Sequence, residues 1–198
     1  MLTPIGHDTM DQAYALLAQG FPMRSRAFWR DGLARQAQFH EARALGPIGQ
    51  IMRVKGDPVG IILTMRSGRA DGQAVTNLSS WYVEERYRLL APRMLQQVLA
   101  EPVATFTDLT PSPPVTAMME RLGFVRRHDG GAIVPLPVLA LWGGTGGRLV
   151  AVGEAGIDPG TADLLEDHRA LGCLVCVLAS DGVDHPLVFS TARRKGLP

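Results

Sequence analysis

One stretch limits what this chain can fold into more than any other: Asn77-Leu-Ser-Ser-Trp-Tyr-Val-Glu-Glu-Arg-Tyr-Arg-Leu-Leu-Ala-Pro-Arg-Met-Leu95. It reads as a strand, a short basic turn and the first turns of a helix. A helix start leaves backbone N–H groups unpaired and carries a partial positive charge, so it can receive a phosphate. Arg86, Arg88 and Arg93 crowd that start, where positive charge opposes the helix dipole by about 0.3–1 kcal/mol each. A solvated surface would gain nothing from such a cluster, whereas a bound anion would account for it.

The segments around this stretch alternate in period. After an extended start (Leu2 to Ile5), Asp8 is the expected N-cap of a helix. Met10, Ala13, Tyr14 and Leu17 then recur at helical spacing, and Gly20 ends the run. A second helix is expected from Ser25, turning Trp29, Leu33 and Ala37 inward. Ile48 to Val54 and Val59 to Met65 read as a hairpin around Lys55-Gly56-Asp57-Pro58. The loop Ser67 to Gln73 leads into the strand Ala74 to Val83. The following helix keeps Met94, Leu95, Val98 and Leu99 on one side and stops at Glu101-Pro102. Val103 to Leu109 is a further strand. Ser112 then caps a helix with Val115, Met118, Met119 and Leu122 on its apolar side and Gly123 at its end. Phe124 enters another extended segment towards Ala140. The order β-α-α-β-β-β-α-β-α-β predicts a mixed sheet with helices on both faces, an α/β (α+β) domain over residues 1–140.

Trp142-Gly-Gly-Thr-Gly-Gly-Arg148 holds four glycines in five residues and lacks a P-loop lysine, so 141–148 is expected to be a linker. Beyond it, residues 149–198 read as a strand (Leu149 to Val152), a helix (Thr161 to Leu171, with Leu164, Leu165 and His168 on one side) and a hairpin. The hairpin is Leu174 to Leu178, the turn Ser180-Asp-Gly, and Pro186 to Ser190. This repeats the opening of the chain, so the tail is expected to be an incomplete second copy that adds strands to the first sheet or pairs with another chain.

Composition excludes several functions. Twenty Lys+Arg against nineteen Asp+Glu, a net charge of +1, leave no basic stripe for duplex nucleic acid. The most apolar run, Ala132 to Trp142, is too short for a bilayer and is broken by Pro135 and Pro137. Met1-Leu-Thr-Pro-Ile-Gly-His-Asp has no basic n-region before an apolar run, so no secretory signal is expected. Cys173 and Cys176 form a lone C-x-x-C within an apolar strand-like run. On a strand, positions three apart face opposite ways, which suits core packing rather than chelation. Reduced thiols imply a cytoplasmic protein. His7, His40, His128, His168 and His185 show no paired spacing, so no metal site is expected.

With Val83, Tyr87, Arg88 and Ala91, the 77–95 stretch resembles the acyl-CoA-binding segment of GNAT-type (GCN5-related) N-acyltransferases, and the element order over about residues 1–140 is that family's order. The resemblance implies an acetyl-CoA or other acyl-CoA co-substrate and a small-molecule or peptide amine acceptor. It implies that Trp81, Tyr82 and Val83 lie on a strand that splays from Val103 to Leu109 and pairs with the pantetheine arm. It also implies that the turn Arg88, Leu89, Leu90, Ala91 and Arg93 holds the diphosphate. Here Ala91 stands for the first glycine of the family pattern, Arg93 occupies the second small position, and Pro92 removes one donor. Ser112 stands where the next helix would carry an Asn, and Met119 where it would carry an acidic Tyr. That leaves Tyr82 and Ser112 as catalytic candidates, with Ser112 also near the cofactor. Glu84 and Glu85 are expected to pair with the arginines, and Asp108 to cap its strand. Two other readings stand beside acyl transfer. One is a non-catalytic CoA-binding or interaction module; the other is half of a homodimer joined through the C-terminal strands.

Overall fold

Lys55 and Gly56 both adopt positive φ (52° and 95°) and close a two-residue turn between β2 (Gly49–Val54) and β3 (Asp57–Gly68), with Val54 opposite Asp57. This is the turn whose twist matches that of the paired strands. It is tighter than the four-residue turn the sequence suggests. The computed structural model describes residues 1–68, 73–101, 105–127 and 146–190. The chain divides into two units, Met1–Arg127 and His128–Pro198.

In the first unit, β1 (Leu2–Pro4), β2, β3, β4 (Ala74–Val83) and β5 (Thr105–Asp108) lie side by side in that order. All neighbours are antiparallel except β4 and β5, which are parallel. Strand alternation sends Ile51, Ile61 and Leu63 to one face, where α1 (Met10–Gly20) and α2 (Arg26–Ala42) cover them with Ala13, Leu16, Leu17, Trp29 and Leu33. Met52, Ile62, Leu78 and Val83 face the other way, onto Met94, Leu95 and Val98 of α3 (Ala91–Leu99) and Met119 of α4 (Pro113–Arg121). The two-sided α/β architecture is therefore the expected one. Leu17, Ile61 and Leu95 have no exposed surface, so truncating any of them to Ala would cost about 2–5 kcal/mol.

Local signals behave unevenly. Ser25 caps α2 as expected, its hydroxyl accepting from the Phe28 N–H at 3.1 Å. Asp8 does not cap α1: it sits inside a 3-10 turn, His7–Thr9, and Thr9 takes the cap position. The reason is that Thr9 Oγ1 already accepts from the Gly6 N–H at 3.0 Å, which winds the chain before Asp8 is reached. Gly123 follows α4 with φ 91°, a left-handed stop suited to glycine.

The second unit holds β6 (Arg148–Val150), a 3-10 turn (Val152–Glu154), α5 (Pro159–Ala170), β7 (Leu174–Ser180) and β8 (Val183–Phe189). The strands form an antiparallel sheet in the order β6-β7-β8. Asp181 and Gly182, with φ of 52° and 76°, close another two-residue turn. Strand, 3-10 turn, helix and hairpin thus follow the same order as at the start of the chain, with no counterpart of α2. Val150, Val152, Leu165, Val175 and Val177 form its core. Leu164 does not join Leu165 there; it is half exposed. Cys173 and Cys176 are both free and half-buried; Cys173 packs against this core, and Cys176 does not join it. The expected extended segment towards Ala140, His128 and most of the glycine-rich linker lie outside the described residues.

Candidate functional site

The parallel pairing of β4 with β5 runs from Val75 opposite Thr105 to Leu78 opposite Asp108, where β5 ends. β4 continues to Val83, so the main chain from Ser79 onward has β3 on one side and no strand on the other among the described residues. Within that overhang the register slips by one. Ile61 faces Tyr82 while Leu63 faces Ser79, so Ser80 and Trp81 together oppose Ile62. Ser80 takes φ 45° to make this bulge, a conformation that costs a non-glycine residue about 1–2 kcal/mol. Bulges bend a strand and leave main-chain groups unpaired. An extended molecule carrying amides could add to this edge as a further strand would. The edge is open because β5 ends at Asp108 while β4 runs on to Val83. The bulge has no clear sequence signal beyond the two small polar residues, Ser79 and Ser80, inside a strand.

The slip decides where the two aromatic residues go. Trp81 packs on the α3–α4 side, where its buried indole N–H has no hydrogen-bond partner among the described residues. Tyr82 packs on the α1–α2 side, its ring 6.5 Å from Phe21 in an edge-on arrangement. Burial, and then the nearby Glu84 carboxylate, push the Tyr82 phenol above its usual pKa. A phenol held protonated in this way can give up a proton but makes a poor base.

After Val83 the chain winds into a 3-10 helix, Glu85–Leu90, that runs directly into α3. The Tyr87 N–H donates to Glu84 O at 2.8 Å and the Ala91 N–H donates to Arg88 O. Pro92 has no N–H. The expected row of free amides around Ala91 is thus partly consumed by the winding itself, which leaves charge as the main attraction for an anion. The three arginines differ here. Arg86 is bonded to Glu84 at 3.0 Å and lies over the Tyr87 ring. Arg88 is exposed, and its guanidinium makes no hydrogen bond or ion pair among the described residues. Arg93 turns instead towards β2, lining a recess of about 160 Å³ with Met52, Arg53, Leu90 and Met94. It is therefore not gathered with the open edge of β4. Leu89 is almost wholly exposed, while Leu90 and Ala91 pack against the core on the α3–α4 side.

Asp108 ends β5 at the point of parting. Burial raises its carboxyl pKa, opposed in part by the hydrogen bond that Oδ1 accepts from the Thr110 N–H at 3.1 Å. This agrees with a strand-end role. Ser112 occupies the cap position of α4, but its hydroxyl makes no cap hydrogen bond among the described residues; its carbonyl accepts from the Thr116 N–H instead. Met119 is buried in the core and cannot donate a proton. Among the described residues there is no cluster of three or more His, Cys, Asp and Glu able to hold a metal, and no helix long and apolar enough to cross a membrane.

No protein-family model matches this sequence, and no curated protein is significantly similar to it. Solved structures do match. A probable acetyltransferase superposes with a TM-score of 0.53 at 13% identity, covering 68% of this chain and 96% of its own. A GCN5-related N-acetyltransferase from Ralstonia eutropha gives 0.50 at 14% identity, covering 68% and 97%. An integron cassette protein from the Cole Harbour Salt Marsh metagenome also gives 0.50 at 14%, covering 68% and 91%. The fold is that of the GNAT acetyltransferases. At these identities the likeness is one of fold.

Proposed function

We propose that the first unit binds an acyl-CoA along the open edge of β4 and passes its acyl group, acetyl in the simplest case, to an amine. The parting of β4 from β5 beyond Leu78 and Asp108, sharpened by the bulge at Ser80, supports this most directly. The pantetheine amides would pair with the main chain from Trp81 to Val83, and Arg88 would take the diphosphate beside Leu89, Leu90 and Ala91. The neutral amine nitrogen attacks the thioester carbonyl carbon, the C–S bond breaks, the nitrogen sheds one proton to solvent and the leaving thiolate takes one up. Tyr82 is the candidate donor, and Ser112 an alternative at the start of α4. A thermal-shift titration with coenzyme A and acetyl-CoA, followed by an acetyl-transfer assay over a panel of amines, tests this. Absence of any shift with either compound would overturn it.

A second reading is favoured by Met119, which fills with an inert thioether the position where the resemblance implies an acid. On that reading the unit binds coenzyme A, or another protein, without turnover. Tight coenzyme A binding with no acetylated product would select it.

The second unit, on this reading, is an incomplete copy of the first that joins two chains. The face of its sheet opposite α5 carries Leu149, Leu174 and Phe189, each more than half exposed. The free thiols fit a reducing, cytoplasmic setting.

A further inference from the structure

The connection between α1 and α2 and the first turns of α2 read Phe21-Pro-Met-Arg-Ser-Arg-Ala-Phe-Trp-Arg30, three arginines and no acid in ten residues. In a chain of net charge +1 this is a local excess of one sign. A cavity of about 520 Å³ opens beside it, lined by Tyr14, Ala15, Ala18 and Gln19 of α1 with Pro22, Arg24 and Arg26. That volume is in the range of small-molecule sites. None of Arg24, Arg26 and Arg30 has a carboxylate partner among the described residues. Arg24 lies over the exposed Phe28 ring at 5.0 Å, and Arg30 over the Tyr14 ring at 5.5 Å. Aromatic stacking of this kind holds a guanidinium flat while leaving its N–H fork free for an anion. The nearest acids along the chain, Asp11 and Asp31, form no ion pair with these arginines.

The cavity is separated from the proposed transfer centre by two residues of the chain. Gln19 and Pro22 line it, while the residues between them, Gly20 and Phe21, lie against Tyr82. A Cβ on Gly20 would meet Tyr82 Cγ at 2.3 Å, and the Phe21 ring is 6.5 Å from the Tyr82 ring. One short stretch of chain therefore has the basic cavity on one side and the end of β4 on the other.

We infer that the amine acceptor is a small molecule that also bears an anionic group, a carboxylate or a phosphate, and that Arg24 and Arg26 hold that group in the α1–α2 cavity. This rests on the acyl-transfer reading for the fate of the amine, though not for the binding of the anion. Arg24 and Arg26 are positioning residues here, acting on the acceptor and not on the cofactor.

The test uses the full chain and matched sets of primary amines carrying a carboxylate, a phosphate ester or a neutral amide. Binding is measured by calorimetry and transfer with acetyl-CoA, for the native chain and for Arg24→Gln, Arg26→Gln and the double variant. Both positions are exposed, so these variants should fold. The expected result is binding of the anionic amines at least about tenfold tighter than that of the neutral ones. The double variant should lose that preference and keep coenzyme A binding unchanged. Where transfer is seen, the variants should raise KM for the anionic amine and leave kcat nearly alone. The carboxylate and phosphate arms identify which anion the site takes. Binding that obeys this pattern without any product supports the anion site and removes the acyl-transfer reading. Equal binding of neutral and anionic amines, or a preference that survives the double substitution, overturns the inference.

Discussion

Gly20 closes α1 against the side chain of Tyr82 so tightly that a methyl group there would lie 2.3 Å from Tyr82 Cγ. Neither residue is exceptional alone: Gly20 ends a helix, and Tyr82 sits near the end of a strand. Their contact fixes how α1 docks on the β4 overhang, and so joins the helix layer to the candidate site.

Gly20→Ala should therefore destabilise the first unit by about 1–3 kcal/mol, the usual cost of forcing volume into a packed contact. The same substitution made together with Tyr82→Ala should be neutral or slightly stabilising, because the obstacle is gone and alanine restricts the unfolded chain. Urea unfolding of the four chains in this cycle measures the coupling. Equal costs in both backgrounds would mean that the contact is not the constraint.

His40 is buried, with Nδ1 against Gly46 O at 3.1 Å and Nε2 accepting from the Arg66 N–H at 3.3 Å. That pattern requires the neutral ring. Burial lowers its pKa; the hydrogen bond to Gly46 works the other way, and the Arg66 charge adds to the lowering. The unfolded chain, with an ordinary histidine near pH 6.5, then takes up the proton first as pH falls. Its stability contribution is whole above about pH 6.5 and is lost below it. Melting temperatures across this range should drop towards acid, with a shallower slope in His40→Gln.

Asp108 has the opposite sign. Burial raises its pKa, so folding favours the protonated form and the contribution disappears as pH rises through that value. Asp108→Asn keeps an acceptor for the Thr110 N–H and removes the charge. It should raise the melting temperature at neutral pH and have little effect near about pH 3, where both states are protonated.

Arg88→Ala should weaken coenzyme A by about tenfold, as expected for one charge-assisted contact. Arg86→Ala should matter less, because Arg86 is already engaged by Glu84. Titration calorimetry on the two variants separates them, and equal losses would mean that the whole turn, not Arg88, attracts the ligand.

Leu174 and Phe189 face each other across β7 and β8, and both are more than half exposed. If this face joins two chains, Leu174→Glu should shift sedimentation to a monomer while changing stability by no more than about 0.5 kcal/mol, as surface substitutions do. A native chain that already sediments as a monomer would remove the dimer.

Element types and their order were legible because periodicity is a local property. Met10, Ala13 and Leu17 lie on one helical face whatever surrounds them, and Lys55-Gly56 suits a tight turn in any hairpin. The α1 cap was not legible, since Thr9, engaged by the Gly6 N–H, displaced Asp8 through a contact that spacing alone does not rank. Leu164 failed for a related reason: helical spacing names a stripe but not its centre, and the centre falls on Leu165.

The sequence by itself determined that a strand, an arginine-bearing turn and a helix follow one another between Asn77 and Leu95, because composition and spacing there admit little else. Only the tertiary structure decided that Ser80 bulges, which of the two faces Trp81 and Tyr82 each take, and that Arg93 turns to β2 while the Arg88 side chain stays free. Those outcomes depend on strand register and on neighbours distant in sequence. A shift of one residue in β4 reverses every side chain beyond it, and no local pattern encodes that shift.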